Sequence, residues 1–173
     1  MEHTSKQRVI YSNTLLDAVS TLAAATWEGV VFRHTFASIP PERENQLGAR
    51  WNPAEVPAIY CSLERETAIA EVNFHISLQP FRPTAERRVH RIEVRVPAVV
   101  DLTNWENLER LGISRPSFAD IEPPRCKEVG GAIAFLGHGG ILVPSARRDG
   151  VNLVIYPNAD LLFRPIDFAV LPY

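Results

Sequence analysis

Arg88-Val89-His90-Arg91-Ile92-Glu93-Val94-Arg95-Val96 alternates along its length, with Ile92, Val94 and Val96 on one side and Arg91, Glu93 and Arg95 on the other. Successive side chains of a strand point to opposite faces, so this is a strand with one face in a core and one in water. Half-exposed strands of this kind belong to antiparallel sheets; strands of buried parallel sheets read as unbroken apolar runs. Outward from it, residues 99–103 are apolar and short. Upstream, Ser62 reads as an N-cap, with Glu64 and Glu66 in the first turn, where the helix dipole favours acid. Ala68, Val72 and Ile76 then repeat every fourth residue, which predicts a helix to about Gln79, stopped by Pro80. Residues 58–61 form the strand that leads into it, and residues 30–34 an earlier one. Residues 13–27, rich in alanine and leucine, read as a helix. Between them, residues 35–57 lack periodicity and hold Pro40, Pro41, Gly48, Pro53 and Pro57. Such a long loop in a compact domain is often functional.

Downstream, residues 105–111 predict a short helix stopped by Gly112, and residues 124–136 a third helix ended by Gly137. Residues 141–143, 151–156 and 163–170 read as strands. Helices lie early and in the middle while strands cluster late and pair locally. The fold class is therefore α+β: a single domain with a mixed, largely antiparallel sheet and flanking helices.

Bulk properties narrow the function classes. The chain has 173 residues, 46% hydrophobic and 22% charged, which suits one soluble domain with a real core. Lys plus Arg is 18 and Asp plus Glu is 20, for a net charge of -2. Proteins that live on nucleic-acid backbones usually carry a basic footprint, so no direct nucleic-acid partner is expected. The polar stretch Met1 to Ser12 lacks a secretory h-region, and no run approaches the ~18 apolar residues of a membrane span. A cytoplasmic protein without a membrane partner is expected. Cys61 and Cys126 make no CxxC pair and read as buried, reduced thiols. The five histidines form no HExxH or His/Cys cluster, so no metal is predicted.

Four features carry chemistry. Arg33 is a cation inside an apolar strand, and a buried guanidinium needs an anion, whether an internal carboxylate or a phosphate. Gly48-Ala49-Arg50-Trp51-Asn52-Pro53 offers close backbone approach, a phosphate fork and a stacking face; a packed loop anchored by Trp51 is the plainer reading. Tyr60 ends a strand, and Glu71 lies on the next helix beside its apolar stripe, where a carboxylate can face a cleft and stabilise an oxocarbenium-like transition state. A solvated helix flank is the ordinary alternative. Val143-Pro144-Ser145 ends a strand with a hydroxyl at the sheet rim, with Asn152 further on; Ser145 is in no GxSxG elbow, so it is not a hydrolase nucleophile. Gly137-His138-Gly139-Gly140 matches neither a P-loop nor GxGxxG and reads as a turn.

In this order, Phe32-Arg33-His34, the 48–53 segment, Pro57-Ala58-Ile59-Tyr60-Cys61-Ser62, Glu66-Thr67-Ala68-Ile69-Ala70-Glu71 and Val143-Pro144-Ser145-Ala146 with Asn152-Leu153 resemble the RES domain family. The resemblance covers residues 30–157 of a single domain spanning 1–173. It implies a fold similar to ADP-ribosyltransferases and the toxin of a bacterial toxin–antitoxin pair, one that degrades NAD by hydrolysis or phosphorolysis. It also implies an Xre-like antitoxin as partner and leaves room for a homo-oligomer within that complex. NAD would be substrate, with inorganic phosphate as an admissible co-substrate and no cofactor. By the same resemblance Arg33, Tyr60, Glu71 and Ser145 are the catalytic set, and Arg50, Trp51 and Asn152 bind substrate. Arg33 and Arg50 would hold the diphosphate or an attacking phosphate, Tyr60 would stack on nicotinamide, and Glu71 would stabilise charge as the carbon–nitrogen bond breaks. Many family members carry tyrosine where this chain has His34. The competing readings are an ADP-ribosyltransferase acting on a macromolecule and a non-catalytic module that binds an antitoxin or nucleotide.

Overall fold

The computed structural model describes residues 10–121 and 123–172. Most of the polar stretch at the N-terminus, residues 1–9, lies outside the described residues. Six strands form one sheet: β1 (Ala24–Phe36), β2 (Ile59–Ser62), β3 (Arg87–Asp101), β4 (Gly140–Pro144), β5 (Val151–Ile155) and β6 (Leu162–Leu171). Their spatial order is β1-β2-β5-β4-β3-β6, and a further pairing of β1 with β3 closes five of them into a ring. Every pairing is antiparallel except β3 with β4. The sheet is thus largely antiparallel as expected, but it is a closed barrel rather than an open layer.

The alternation that marks β3 decides what lies on each side of the ring. Val31, Ile59, Cys61, Ile92, Val94, Val96, Leu153 and Ile155, from four strands, form one core cluster. Ala58, Val154 and Tyr156, which alternate with them, join Val100, Ile141 and Val143, the neighbours of Val99 and Leu142 from the first cluster, in a second cluster with helix residues. A period of two sends one set inside the ring and the other beneath the helices. Those helices are α1 (Asn13–Ser20), α2 (Arg65–Ser77), α3 (Trp105–Arg110), α4 (Arg115–Phe118) and α5 (Pro124–Phe135).

Several expectations need correction. The first helix does not reach Trp27: α1 ends at Ser20, with Thr21 as its C-cap, and Ala24 already pairs with Val100. Alanine's helix propensity is worth only tenths of a kcal/mol per residue and yields to the β1–β3 ladder. Ser62 is not an N-cap. Its backbone pairs with Phe32 and Asn152 in the sheet, and Glu64 caps α2 without a side-chain bond. The strand read at 88–96 and most of the apolar run at 99–103 are one long β3 through Pro97 and Ala98, the latter at φ 51. On that edge β6 pairs as far as Arg95 and β4 begins at Val99, so Pro97, which has no N–H to donate, sits between two partners. The short α4 was not anticipated.

Helix α5 carries Gly130 and Gly131 against the 48–53 loop. A Cβ on Gly130 would lie 1.9 Å from the Trp51 carbonyl oxygen. Tyr156 donates its hydroxyl to that same carbonyl at 2.9 Å. The absence of a side chain at residue 130 is what lets the loop press onto the helix.

Candidate active site

The functional residues gather at one cleft of about 660 Å³, walled by β1, β2, α2, the 45–51 loop and the turn after β4. Its centre is Glu71. Helix α2 starts three residues after β2, so its second turn passes over the end of β2 and β5. There Glu71 Oε1 accepts from Ser145 Oγ at 2.7 Å and from Asn152 Nδ2 at 2.8 Å. Ser62 Oγ donates to Asn152 Oδ1 at 2.7 Å. A hydroxyl donor on the amide oxygen and a carboxylate on the amide nitrogen fix which way the amide faces. No hydrogen bond reaches Glu71 Oε2 among the described residues, so that oxygen is left for a ligand.

Ser145 does not line the cleft; it reaches the site through Glu71. Its hydroxyl also accepts from the backbone N–H of Arg147 at 3.1 Å, tying the turn after β4 to the carboxylate. It is therefore a positioning residue. Asn152 and Tyr60 do line the cleft. The Tyr60 hydroxyl donates to Asn52 Oδ1 at 2.7 Å and accepts from the Trp51 N–H at 2.9 Å. Burial raises its pKa above the ordinary tyrosine value, so it stays protonated. With both hydroxyl bonds spent on the loop, what Tyr60 has left to offer is its ring face.

Arg33 is mostly buried and donates through Nη2 to the Arg43 carbonyl at 2.5 Å. Among the described residues its Nη1 is buried without a partner, and no carboxylate is within salt-bridge distance. Desolvation lowers its pKa, Cys61 and Glu42 acting the other way. The internal carboxylate that sequence reasoning weighed for Arg33 is not bonded to it. Arg50 is anchored: Nη1 donates to the Phe118 carbonyl and Nη2 to the Asp120 carbonyl, each at 2.6 Å. Trp51 offers no stacking face to a ligand. It is 2% exposed and packs on Phe118, so it anchors the loop.

The sequence reading gave no site role to three cleft residues, Ser62, His75 and Arg147, nor to Asn52, which stands behind Tyr60. Ser62 and Asn52 look like ordinary strand and loop residues, and their roles come from partners that folding brings close. Arg147 lays its guanidinium over the Phe74 ring, 3.4 Å from the centroid, and donates to the Ala119 carbonyl at 2.8 Å. His75 lies one turn beyond Glu71; burial lowers its pKa, against the carboxylate, with Arg147 and Arg50 adding to the lowering. His34 faces the cleft at the unusual family position. Burial, then Arg87 and His90, bring its pKa down to about 4, and its Nε2 accepts from Arg87 Nε at 3.3 Å. It is a neutral ring with its proton on Nδ1. Cys61 and Cys126 are free and buried, burial pushing them up to about 12 and about 11, which makes both unreactive thiols.

Although the whole chain is slightly acidic, the described lining carries Arg33, Arg50, Lys127 and Arg147 against the single carboxylate of Glu71. A small α+β domain built to hold an anionic ligand against one carboxylate is the class that this geometry defines. The chain belongs to the RES domain family, which it matches over residues 23–167. It is similar to the NAD(+) phosphorylase MbcT of Mycobacterium tuberculosis H37Rv, with 31% identity over 151 residues covering 82% of this chain and 79% of that one. The MbcT of Mycobacterium bovis matches equally. The M. tuberculosis MbcT–MbcA toxin–antitoxin complex shares the fold, with a TM-score of 0.78 and 23% identity over 92% of this chain and 93% of that one.

Proposed function

We propose that this chain is the toxin of a toxin–antitoxin pair and cleaves the nicotinamide–ribose bond of NAD, passing ADP-ribose to phosphate or water. The observation that carries the reading is Glu71, held by Ser145 and Asn152 inside a cleft whose other described charges are cationic. The likeness to an enzyme named as an NAD(+) phosphorylase supports the same substrate. Nicotinamide leaves from a pyridinium cation, so its departure needs no acid. The protein's part is to position the dinucleotide and to stabilise positive charge at the anomeric carbon. Arg33, with a buried and unpartnered N–H, suits the diphosphate. The Tyr60 ring stacks on nicotinamide, and Oε2 of Glu71 accepts from the ribose hydroxyls. NAD is substrate, so no cofactor is required. The ring of strands is read as ADP-ribosyltransferase-like, the partner as an Xre-like antitoxin that covers the cleft, and the setting as cytoplasmic, with assembly of several toxin copies left to the complex. Among the described residues, no helix is long and apolar enough to cross a membrane.

The test is NAD consumption by purified protein, with products resolved by chromatography. Glu71→Ala is expected to keep its fold and lower kcat by about 100- to 1,000-fold, the usual effect of removing one electrostatic stabiliser. An unchanged rate in that variant overturns the assignment. Labelled macromolecule in place of free ADP-ribose or its phosphate points instead to the transferase.

A further inference from the structure

Two arginines of the cleft, Arg50 and Arg147, are held on one run of carbonyls, and the NAD reading gives Arg147 no part. The carbonyls of Phe118, Ala119 and Asp120, at the end of α4, hold both: Arg50 donates to the first and third, and Arg147 to the second. Three consecutive carbonyls thus pin two guanidinium groups together. Phe74 fixes Arg147 from its flat side. Among the described residues neither arginine has a salt bridge, and Arg147 Nε is buried with no hydrogen-bond partner. Desolvation and then Arg50 lower the pKa of Arg147, with Glu71 opposing. Holding like charges together in a partly buried site is costly unless an anion sits with them.

Arg33 is not part of this pair. It is held by the Arg43 carbonyl in the 35–57 loop, whereas Arg50 and Arg147 are held by the carbonyls of residues 118–120. The cleft therefore has two separate cationic centres. Arg147 is also the one tied to the reacting position, because Ser145 bonds its backbone N–H and the Glu71 carboxylate with one hydroxyl. A dinucleotide's diphosphate lies away from the anomeric carbon, beyond the ribose. An acceptor must lie next to that carbon.

Resting on the proposed NAD cleavage, we infer that Arg147, with Arg50 beside it, seats an inorganic phosphate dianion as the acceptor, while Arg33 carries the diphosphate. In the step itself a phosphate oxygen bonds to the anomeric carbon as the carbon–nitrogen bond breaks. That bond's electron pair passes to the ring nitrogen, turning the pyridinium into neutral nicotinamide. No proton is delivered or released, which suits a site whose described lining offers cations and no acid beyond Glu71. The charges also match: the dinucleotide brings a diphosphate dianion and a pyridinium cation, and cationic surplus remains in the cleft for a second anion.

The experiment has two arms. First, inorganic phosphate is titrated by phosphorus NMR and calorimetry into wild type, Arg147→Ala, Arg147→Lys and Arg33→Ala in the absence of NAD. Second, initial rates are measured with phosphate varied at fixed NAD, and with NAD varied at fixed phosphate. Arg147→Ala is expected to raise the phosphate KM at least about tenfold while moving the NAD KM less than about twofold. Arg147→Lys should recover part of the loss, and Arg33→Ala should show the reverse pattern. Unchanged phosphate binding in a folded Arg147→Ala protein, a rise in the NAD KM instead, or wild-type cleavage indifferent to phosphate overturns the inference; should Arg147→Ala fail to fold, the Lys variant decides on the same criteria. If wild type binds phosphate through Arg147 but leaves NAD intact, the function proposal fails and the anion site stands.

Discussion

Ser62 is buried and spends its hydroxyl on Asn152, whose amide in turn holds Glu71. Removing that hydroxyl leaves an amide oxygen without its donor and lets the side chain turn over. Losing such a bond typically costs ~1–3 kcal/mol, so Ser62→Ala is expected to lower kcat about tenfold with little change in the NAD KM. Steady-state rates on the two proteins check it; a raised KM at constant kcat would assign Ser62 to binding instead. The same residue shows what a sequence hides. Arg33, Tyr60, Glu71 and Asn152 were legible because their ordered motifs resemble a family. Ser62 and Arg147 were not, since their significance rests on partners 90 and 28 residues away. Trp51 stayed open between two readings, because an anchoring tryptophan and a stacking one share a letter, and only burial separates them.

At the scale of elements, strands with clean alternation and helices bounded by proline or glycine were readable. Gly112 and Gly137, which end α3 and α5, both have positive φ, as a helix stop requires. The alanine-rich start of β1 was unreadable, because its strand character is conferred by β3, far along the chain. Packing between α5 and the 48–53 loop gives a test in which propensity and sterics oppose each other. Alanine exceeds glycine in helix propensity by about 1 kcal/mol, yet its Cβ at residue 130 would strike the Trp51 carbonyl. Overpacking of this sort costs ~1–3 kcal/mol, so Gly130→Ala should lower the urea midpoint. A midpoint equal to or above wild type would mean that helix and loop part easily.

For the whole molecule, the sequence conveyed an α+β domain but not its closure. Ring formation depends on β1 pairing with both β2 and β3, and local pattern carries no record of a strand's second edge. Acid stability is set at this scale too. Inside the fold His34 has a pKa of about 4, and His75 and His90 are lowered as well, all chiefly by burial. Unfolded histidine titrates near 6.5, so between these values the unfolded chain takes up protons that the fold excludes. Stability from His34 is therefore complete above pH ~6.5 and is lost as pH falls toward about 4. Urea midpoints measured from pH 7 to 4.5 should fall, and fall less steeply in His34→Gln, which can still accept from Arg87. Parallel slopes in the two proteins would exclude His34 as a source.

The bridge from Glu71 to Asn152 has a consequence for synthesis. The carboxylate's two partners are made 74 and 81 residues after it. A growing chain that has not yet emerged past β5 lacks Asn152, holds Glu71 on a helix without its full set of partners, and leaves the ring with a gap between β2 and β4. Such a chain carries no working site. If the chain is the toxin proposed above, harm to the cell making it begins only when the chain is nearly whole, which gives a neutralising partner time to meet it.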